Sequence, residues 1–185
     1  MNIFEQACIF ATERHSGMLR KGTQTPYITH PMEAAVIVAT MTDDLAVLAA
    51  AVLHDVVEDT PTTLSEIEER FGARVAQFVA AESENKRPEL PAAETWRIRK
   101  EETVLRLQQT ADLAEKMLTV GDKLSNLREI SRDAAALGDA VWERFHMKDK
   151  NQHKWYYAAI ADATRELSDH PAWQEMNALI KTVFD

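Results

Sequence analysis

The stretch Ala49-Ala-Ala-Val-Leu-His-Asp-Val-Val-Glu-Asp-Thr60 constrains this chain more than any other. It begins as a buried helix, with Leu45 and Leu48 to Leu53 almost wholly apolar, and then places His54, Asp55, Glu58 and Asp59 within six residues. Positions four apart share a helix face, so a continuous helix sets His54 under Glu58 and Asp55 under Asp59. Burying three carboxylates and an imidazole at the end of an apolar helix costs several kcal/mol unless something pairs with them. A divalent cation is the simplest partner. The stretch therefore reads as a site rather than a surface.

A chain of 185 residues can bury one sizeable core around such a site and is too short for two ordinary domains. With 45% hydrophobic and 28% charged residues, five Gly and six Pro, it is globular in composition. Ala, Leu, Glu and Arg recur, and all favour helix. Apolar residues at one-face spacing predict helices over 2–16 and 32–41, and another opened by Asp43-Asp44 that runs into the His54 to Asp59 cluster. Pro31 marks a helix start and sets His30 at an N-cap-like position. Thr63-Leu-Ser-Glu66 reads as a capping box for a short helix ending near Gly72. Further helices are expected over about 73–81, 92–109 and 112–130, in one or two pieces within 139–167, and from Pro171 onward. No segment alternates with period two. The expectation is an all-α protein, one compact helical bundle over 1–185.

Residues 83–91 form the most loop-like stretch, either a surface connection or a flap over the site. Trp142, Phe145, Trp155, Tyr156 and Ile160 read as core or as a self-association surface, which leaves a homo-oligomer open.

The formal charge of −9 and pI near 5.2 argue against a phosphate-backbone footprint, so a nucleic-acid polymer is not the expected partner. A local pair such as Arg20-Lys21 can still bind a small anion. The single cysteine, Cys8, excludes an internal disulfide framework and fits a reducing compartment. The N-terminus lacks a basic segment followed by a long apolar run, and no window approaches the roughly 18 apolar residues of a membrane span. A cytoplasmic protein without membrane attachment is expected.

His30, the His54-Asp55 pair and Asp122 each have a bland explanation taken alone: a His can cap or pack, and Asp122 with Asn126 is a common helix-face pair. Together they offer two imidazole nitrogens and two carboxylates. That set suits a first-row divalent ion with mixed N/O ligands and open water positions, Mn²⁺ being a natural candidate.

These residues resemble the HD superfamily of metal-dependent phosphohydrolases. Arg20-Lys-Gly-Thr-Gln-Thr-Pro-Tyr-Ile-Thr-His30-Pro, Leu53-His-Asp-Val-Val-Glu-Asp-Thr60, Trp96-Arg-Ile-Arg-Lys100 and Gly121-Asp-Lys-Leu-Ser-Asn-Leu-Arg128 are similar to successive motifs of the RelA/SpoT-type hydrolase domain. More narrowly, the chain resembles the single-domain small alarmone hydrolases, with the motif-bearing core at about 15–130 and C-terminal helices over 139–185. The resemblance implies an HD-domain bundle with His30, His54, Asp55 and Asp122 as metal ligands. It implies that Glu58 and Asp59 activate or orient the attacking water, that Arg20 and Lys21 contact the nucleotide or its phosphates, and that Asn126 contacts sugar or base. The implied reaction removes the 3′-pyrophosphate of guanosine tetra- or pentaphosphate. Met18 stands where the family usually has Gln, and Gly121 where it often has Ala.

Two rival readings use the same residues. One keeps the metal site but takes another phosphorylated nucleotide, such as NADPH. The other is a catalytically silent nucleotide-binding HD protein, which would be expected to have lost Glu58, Asp59 or a ligand.

Overall fold

The structure is a computed structural model and describes residues 1–87 and 89–185. Helix α1 (Ile3–Arg14) starts at Asn2, whose side chain accepts from the Glu5 amide at 2.9 Å while Glu5 returns a bond to the Asn2 amide at 2.8 Å. It is followed by α2 (Thr29–Val38), α3 (Leu45–Leu53), the single turn α4 (Val56–Asp59), α5 (Leu64–Phe71) and α6 (Ala73–Glu82). Then come α7 (Ala92–Gln109), α8 (Leu113–Leu137), a 3-10 helix over Gly138–Arg144, α9 (Lys150–Ala163), a 3-10 turn over Arg165–Leu167, and α10 (Pro171–Phe184). No strand occurs among the described residues; one antiparallel bridge, Leu19 to Pro26, closes the loop between α1 and α2.

The boundaries follow local chemistry. Asp44 and Asp112 each accept a hydrogen bond from the amide two residues on, at 2.9 and 2.8 Å, and so start α3 and α8. Thr63 accepts from the Glu66 amide at 3.2 Å, but Glu66 itself turns to Arg14 and Arg70, so only the forward half of the expected capping box forms. Gly72, at φ +85°, ends α5 in a conformation that a Cβ would strain.

Two expectations are corrected. His30 is the second residue of α2 rather than its cap, because Ile28 already has helical dihedrals. The helix carrying the acidic cluster is also not continuous. It breaks after Leu53, and Asp55, at φ −90° and ψ −9°, starts the separate turn α4. His54 stands at the break and is buried.

Two apolar clusters form the core. One gathers α1, α3, α5 and α6 around Leu53, Ile67 and Val79; the other gathers α7 to α10 around Leu107, Leu124, Ile160 and Met176. Trp142, Tyr156 and Ile160 belong to the second cluster, with Phe145 and Trp155 packed against it, so these aromatics serve the core. Helices α2 and α8 contribute to both clusters: Val38 and Leu118 to the first, Ile37 and Leu127 to the second. The site lies on this seam.

Of the stretch 83–91, residue 88 lies outside the described residues. The part before it is tied down: Glu84 reaches Arg99 at 2.7 Å and Lys100 at 2.6 Å on α7, and Lys86 reaches α4. No helix among the described residues is long and apolar enough to cross a membrane.

Candidate active site

Four side chains from three places in the sequence meet at the seam. His30 comes from the first turn of α2, His54 and Asp55 from the break after α3, and Asp122 from the middle of α8. His30 Nε2 lies 3.2 Å from Asp122 Oδ1 and 3.5 Å from Asp55 Oδ2; His54 Nε2 lies 3.2 Å from Asp55 Oδ2 and 3.8 Å from Asp122 Oδ1. One donor atom from each of His30, His54 and Asp122 falls within 4.8 Å of the others, and all three residues are buried.

The outer nitrogens fix which way each ring offers its inner one. His54 Nδ1 donates to the Ala51 carbonyl at 2.8 Å. His30 Nδ1 lies 2.9 Å from Ser125 Oγ, which donates its own proton to Glu33 Oε2 at 2.8 Å and therefore accepts from the ring. Both Nε2 atoms thus point at the carboxylates. His54 Nε2 is fully buried and faces the Asp55 and Asp122 carboxylates without a well-aligned hydrogen bond to either.

Burial alone would lower the His54 pKa, but the Asp55 and Asp122 carboxylates raise it to about 10. Burial would likewise raise the pKa of Asp122, yet Lys123, His30 and His54 hold it well below the usual carboxylate range. The field at this point favours positive charge, and the donor set of two nitrogens and two carboxylates suits a divalent ion. The residues fit the metal.

Beside the cluster stands the acidic pair of α4. Tyr27 Oη lies 2.7 Å from both Asp55 Oδ2 and Asp59 Oδ2, so one phenolic proton serves a candidate ligand and a candidate catalytic carboxylate together. Lys86 donates to Asp59 Oδ1 at 2.6 Å and to the Glu58 carbonyl at 2.9 Å, and lies 3.8 Å from Glu58 Oε1. Burial first, then the Asp55 charge, pushes the Glu58 pKa up to about 7. A carboxylate poised there can accept a proton near neutral pH.

A cavity of about 290 Å³ adjoins the cluster, lined by Arg20, Lys21, Tyr27, Trp96, Lys100, Lys123, Asn126, Glu129, Arg144, Phe145 and Tyr156, among others. Five cations face it against the single carboxylate of Glu129, although the whole chain carries −9. Asn126 connects it to the cluster: its Nδ2 donates to Asp122 Oδ1 at 2.6 Å, while its Oδ1 accepts from Arg20 at 2.9 Å. Arg20 is also engaged by Glu129, with Nε to Oε2 at 2.8 Å.

The HD domain matches residues 7–148. The chain belongs to the HD-domain family. Among curated relatives, the human guanosine-3′,5′-bis(diphosphate) 3′-pyrophosphohydrolase MESH1 is 40% identical over 131 residues, which is 69% of this chain and 69% of that protein. The bifunctional (p)ppGpp synthase/hydrolase SpoT of Escherichia coli (strain K12) is 47% identical over 74 residues, 40% of this chain and 10% of its own length. Among solved structures, lmo0812 from Listeria monocytogenes EGD-e is 32% identical, with a TM-score of 0.75 over 88% of this chain and 100% of that one. A metazoan ortholog of SpoT, described as hydrolysing ppGpp and acting in starvation responses, superposes with a TM-score of 0.79 over 98% of this chain and 95% of that one. At 23% identity the last shows the fold alone.

Within this HD domain the structure brings His30, His54, Asp55 and Asp122 together, sets Glu58 and Asp59 beside them, and puts Arg20, Lys21 and Asn126 on the cavity wall. Sequence reasoning missed Tyr27, Lys86, Lys100, Lys123, Ser125 and Arg144. Tyr27, Lys100, Lys123 and Ser125 lie inside the motifs quoted for the resemblance, so that signal was present. Lys86 and Arg144 carried none.

Proposed function

We propose that this HD-domain enzyme hydrolyses the 3′-pyrophosphate of guanosine tetra- and pentaphosphate, giving GDP or GTP and pyrophosphate. Residues 1–185 act as one unit, since α2 and α8 belong to both apolar clusters. The observation that carries the reading is the juxtaposition of the two-His, two-Asp cluster, the acidic pair of α4 and a cation-lined cavity joined to the cluster through Asn126.

His30, His54, Asp55 and Asp122 would hold a divalent ion, Mn²⁺ in our reading. Bound there, such an ion lowers the pKa of water from 15.7 towards about 7 and stabilises charge on a phosphoryl oxygen. Glu58 accepts a proton from the attacking water. Asp59, held by Lys86 and Tyr27, orients that water. The water oxygen bonds to the phosphorus carried by the ribose 3′-oxygen, the bond from that phosphorus to the 3′-oxygen breaks, and the 3′-oxygen takes up a proton. Arg20, Lys21 and the other cavity cations bind a polyanion that the carboxylates alone would repel. Asn126 contacts sugar or base. A reducing, cytoplasmic setting is part of this reading, supported by the lone Cys8.

A substrate panel tests it. Purified protein with Mn²⁺ should release GDP and pyrophosphate in equal amounts from guanosine 3′,5′-bis(diphosphate), and should act on NADPH at a far lower kcat/KM. Preferential dephosphorylation of NADPH would transfer the same site to the rival substrate. Metal binding with turnover of neither would support the silent reading.

A further inference from the structure

The cavity has a second charged end that the cluster does not explain. Arg144, from the 3-10 helix after α8, reaches Asp133 of α8 and lies 3.9 Å from Glu129. At 1.5 Å per residue, Glu129 and Asp133 stand roughly 10 and 16 Å along α8 from Asp122. The guanidinium is thus set well away from the metal ligands, at the far reach of the same wall.

Several features there are unexplained by folding. The buried Arg144 Nε has no hydrogen-bond partner among the described residues. Lys21, which has no ion pair among them, lines the cavity beside it, and after burial it is the Arg144 charge that lowers the Lys21 pKa. Two like charges on one wall repel each other unless an anion lies between them. The arrangement is nevertheless held in place: the Arg144 guanidinium sits 5.0 Å from the Phe145 ring centroid, and its Cδ lies 3.6 Å from where a Cβ on Gly22 would stand.

We propose that Arg144, with Lys21, is a specificity-determining residue that binds the phosphoryl groups at the 5′ end of the nucleotide while the cluster engages the 3′ end. The inference rests on the pyrophosphohydrolase reading and deepens it: the site then selects nucleotides phosphorylated at both ends of one ribose. Arg144 does not touch the reacting atoms. Its pairing with Asp133 and Glu129 holds the fork in position for the ligand.

The test compares guanosine 3′,5′-bis(diphosphate) with guanosine 3′-diphosphate in wild-type protein, Arg144→Gln and Lys21→Met. Equilibrium binding is measured in EDTA, where no turnover is expected, and kcat and KM are measured with Mn²⁺. Loss of one charge-assisted contact is worth about tenfold or more in affinity. Each variant should lower the preference for the doubly phosphorylated nucleotide by about that factor, through Kd and KM, with kcat little changed. Arg144→Lys should recover part of it. A purely structural Arg144 would lower both substrates alike. Lys21→Met covers the case in which Arg144→Gln fails to fold, since Lys21 is exposed. An unchanged preference in both variants overturns the proposal, as does wild-type protein without preference. Binding that depends on Arg144 but leads to no turnover would instead remove the hydrolase reading and leave the two-ended site standing.

Discussion

Gly121 of α8 lies against Val38 of α2 so closely that a Cβ on it would stand 2.5 Å from Val38 Cγ2 and 3.0 Å from the Ala34 carbonyl oxygen. The contact is next to Asp122 on one helix and two turns along from His30 on the other. The spacing of two candidate ligands is thereby tied to a packing detail of the seam.

Gly121→Ala should gain about 1 kcal/mol of helix propensity. It should lose about 1–3 kcal/mol by overpacking, towards the upper end because one of the clashing atoms is backbone. The net expectation is destabilisation of about 1–2 kcal/mol and weaker metal binding, because α2 must move away from α8. Chemical denaturation and metal titration check both. Val38→Ala opens part of the space, so the double variant should be more stable than the sum of the two single effects predicts.

Glu58→Gln should keep metal and lose most of the rate, since an amide cannot serve as the base. It should also stabilise the metal-free protein. The folded pKa of Glu58 is about 7 against a reference of 4.5, and its side chain is only 15% exposed. Below the unfolded pKa both states hold the proton and Glu58 costs nothing. As pH rises from the unfolded pKa to the folded one, the unfolded chain ionises while the buried carboxyl keeps its proton, and stability falls by up to about 3 kcal/mol, all of it lost above the folded pKa. Denaturation midpoints of the two proteins should coincide near pH 4 and separate by pH 8, with Glu58→Gln the more stable. A variant of equal stability at pH 8 would contradict the raised pKa.

Much of this was legible in the sequence. The helices of α1, α3 and α5 to α8 follow from apolar spacing and capping residues such as Asp44, Thr63 and Asp112, which act within a few residues. The convergence of His30, His54 and Asp122 was legible only through motif resemblance, because no local rule relates residues on α2, α3 and α8. The break at Asp55 was hidden, since Leu53-His54-Asp55-Val56 is compatible with unbroken helix. Lys86 and Arg144 were hidden for another reason. Each acts through contacts to distant residues, Lys86 to Asp59 and Arg144 to the Gly22 loop, and a lone cation in a polar stretch looks like solvated surface.

Ser125→Ala removes the oxygen that accepts from His30 Nδ1 and donates to Glu33. Loss of such an outer partner typically costs 10–100-fold in metal affinity or activity, and the expectation here is a weakening of about tenfold or more with the fold intact. Competition with a metal-sensitive dye reads the affinity directly. Unchanged affinity would mean that packing alone orients His30.

Lys86→Met removes the ammonium that holds Asp59 and the Glu58 carbonyl. The expected loss is about tenfold to a hundredfold in kcat, from misplacing the acidic pair, with metal affinity little changed. Lys86→Arg should recover part of the rate. A fall in metal affinity with kcat intact would reassign Lys86 to support of the cluster.

The central claim is that His30, His54, Asp55 and Asp122 hold the divalent ion on which hydrolysis depends. The most direct measurement titrates Mn²⁺ into chelator-stripped protein while following pyrophosphate release from guanosine 3′,5′-bis(diphosphate), for wild type and Asp122→Ala. The account predicts no release without metal, saturation at one ion per chain in the wild type, and no turnover at any Mn²⁺ concentration in the variant. Full activity of Asp122→Ala with bound Mn²⁺, or of wild-type protein stripped of metal, would contradict it.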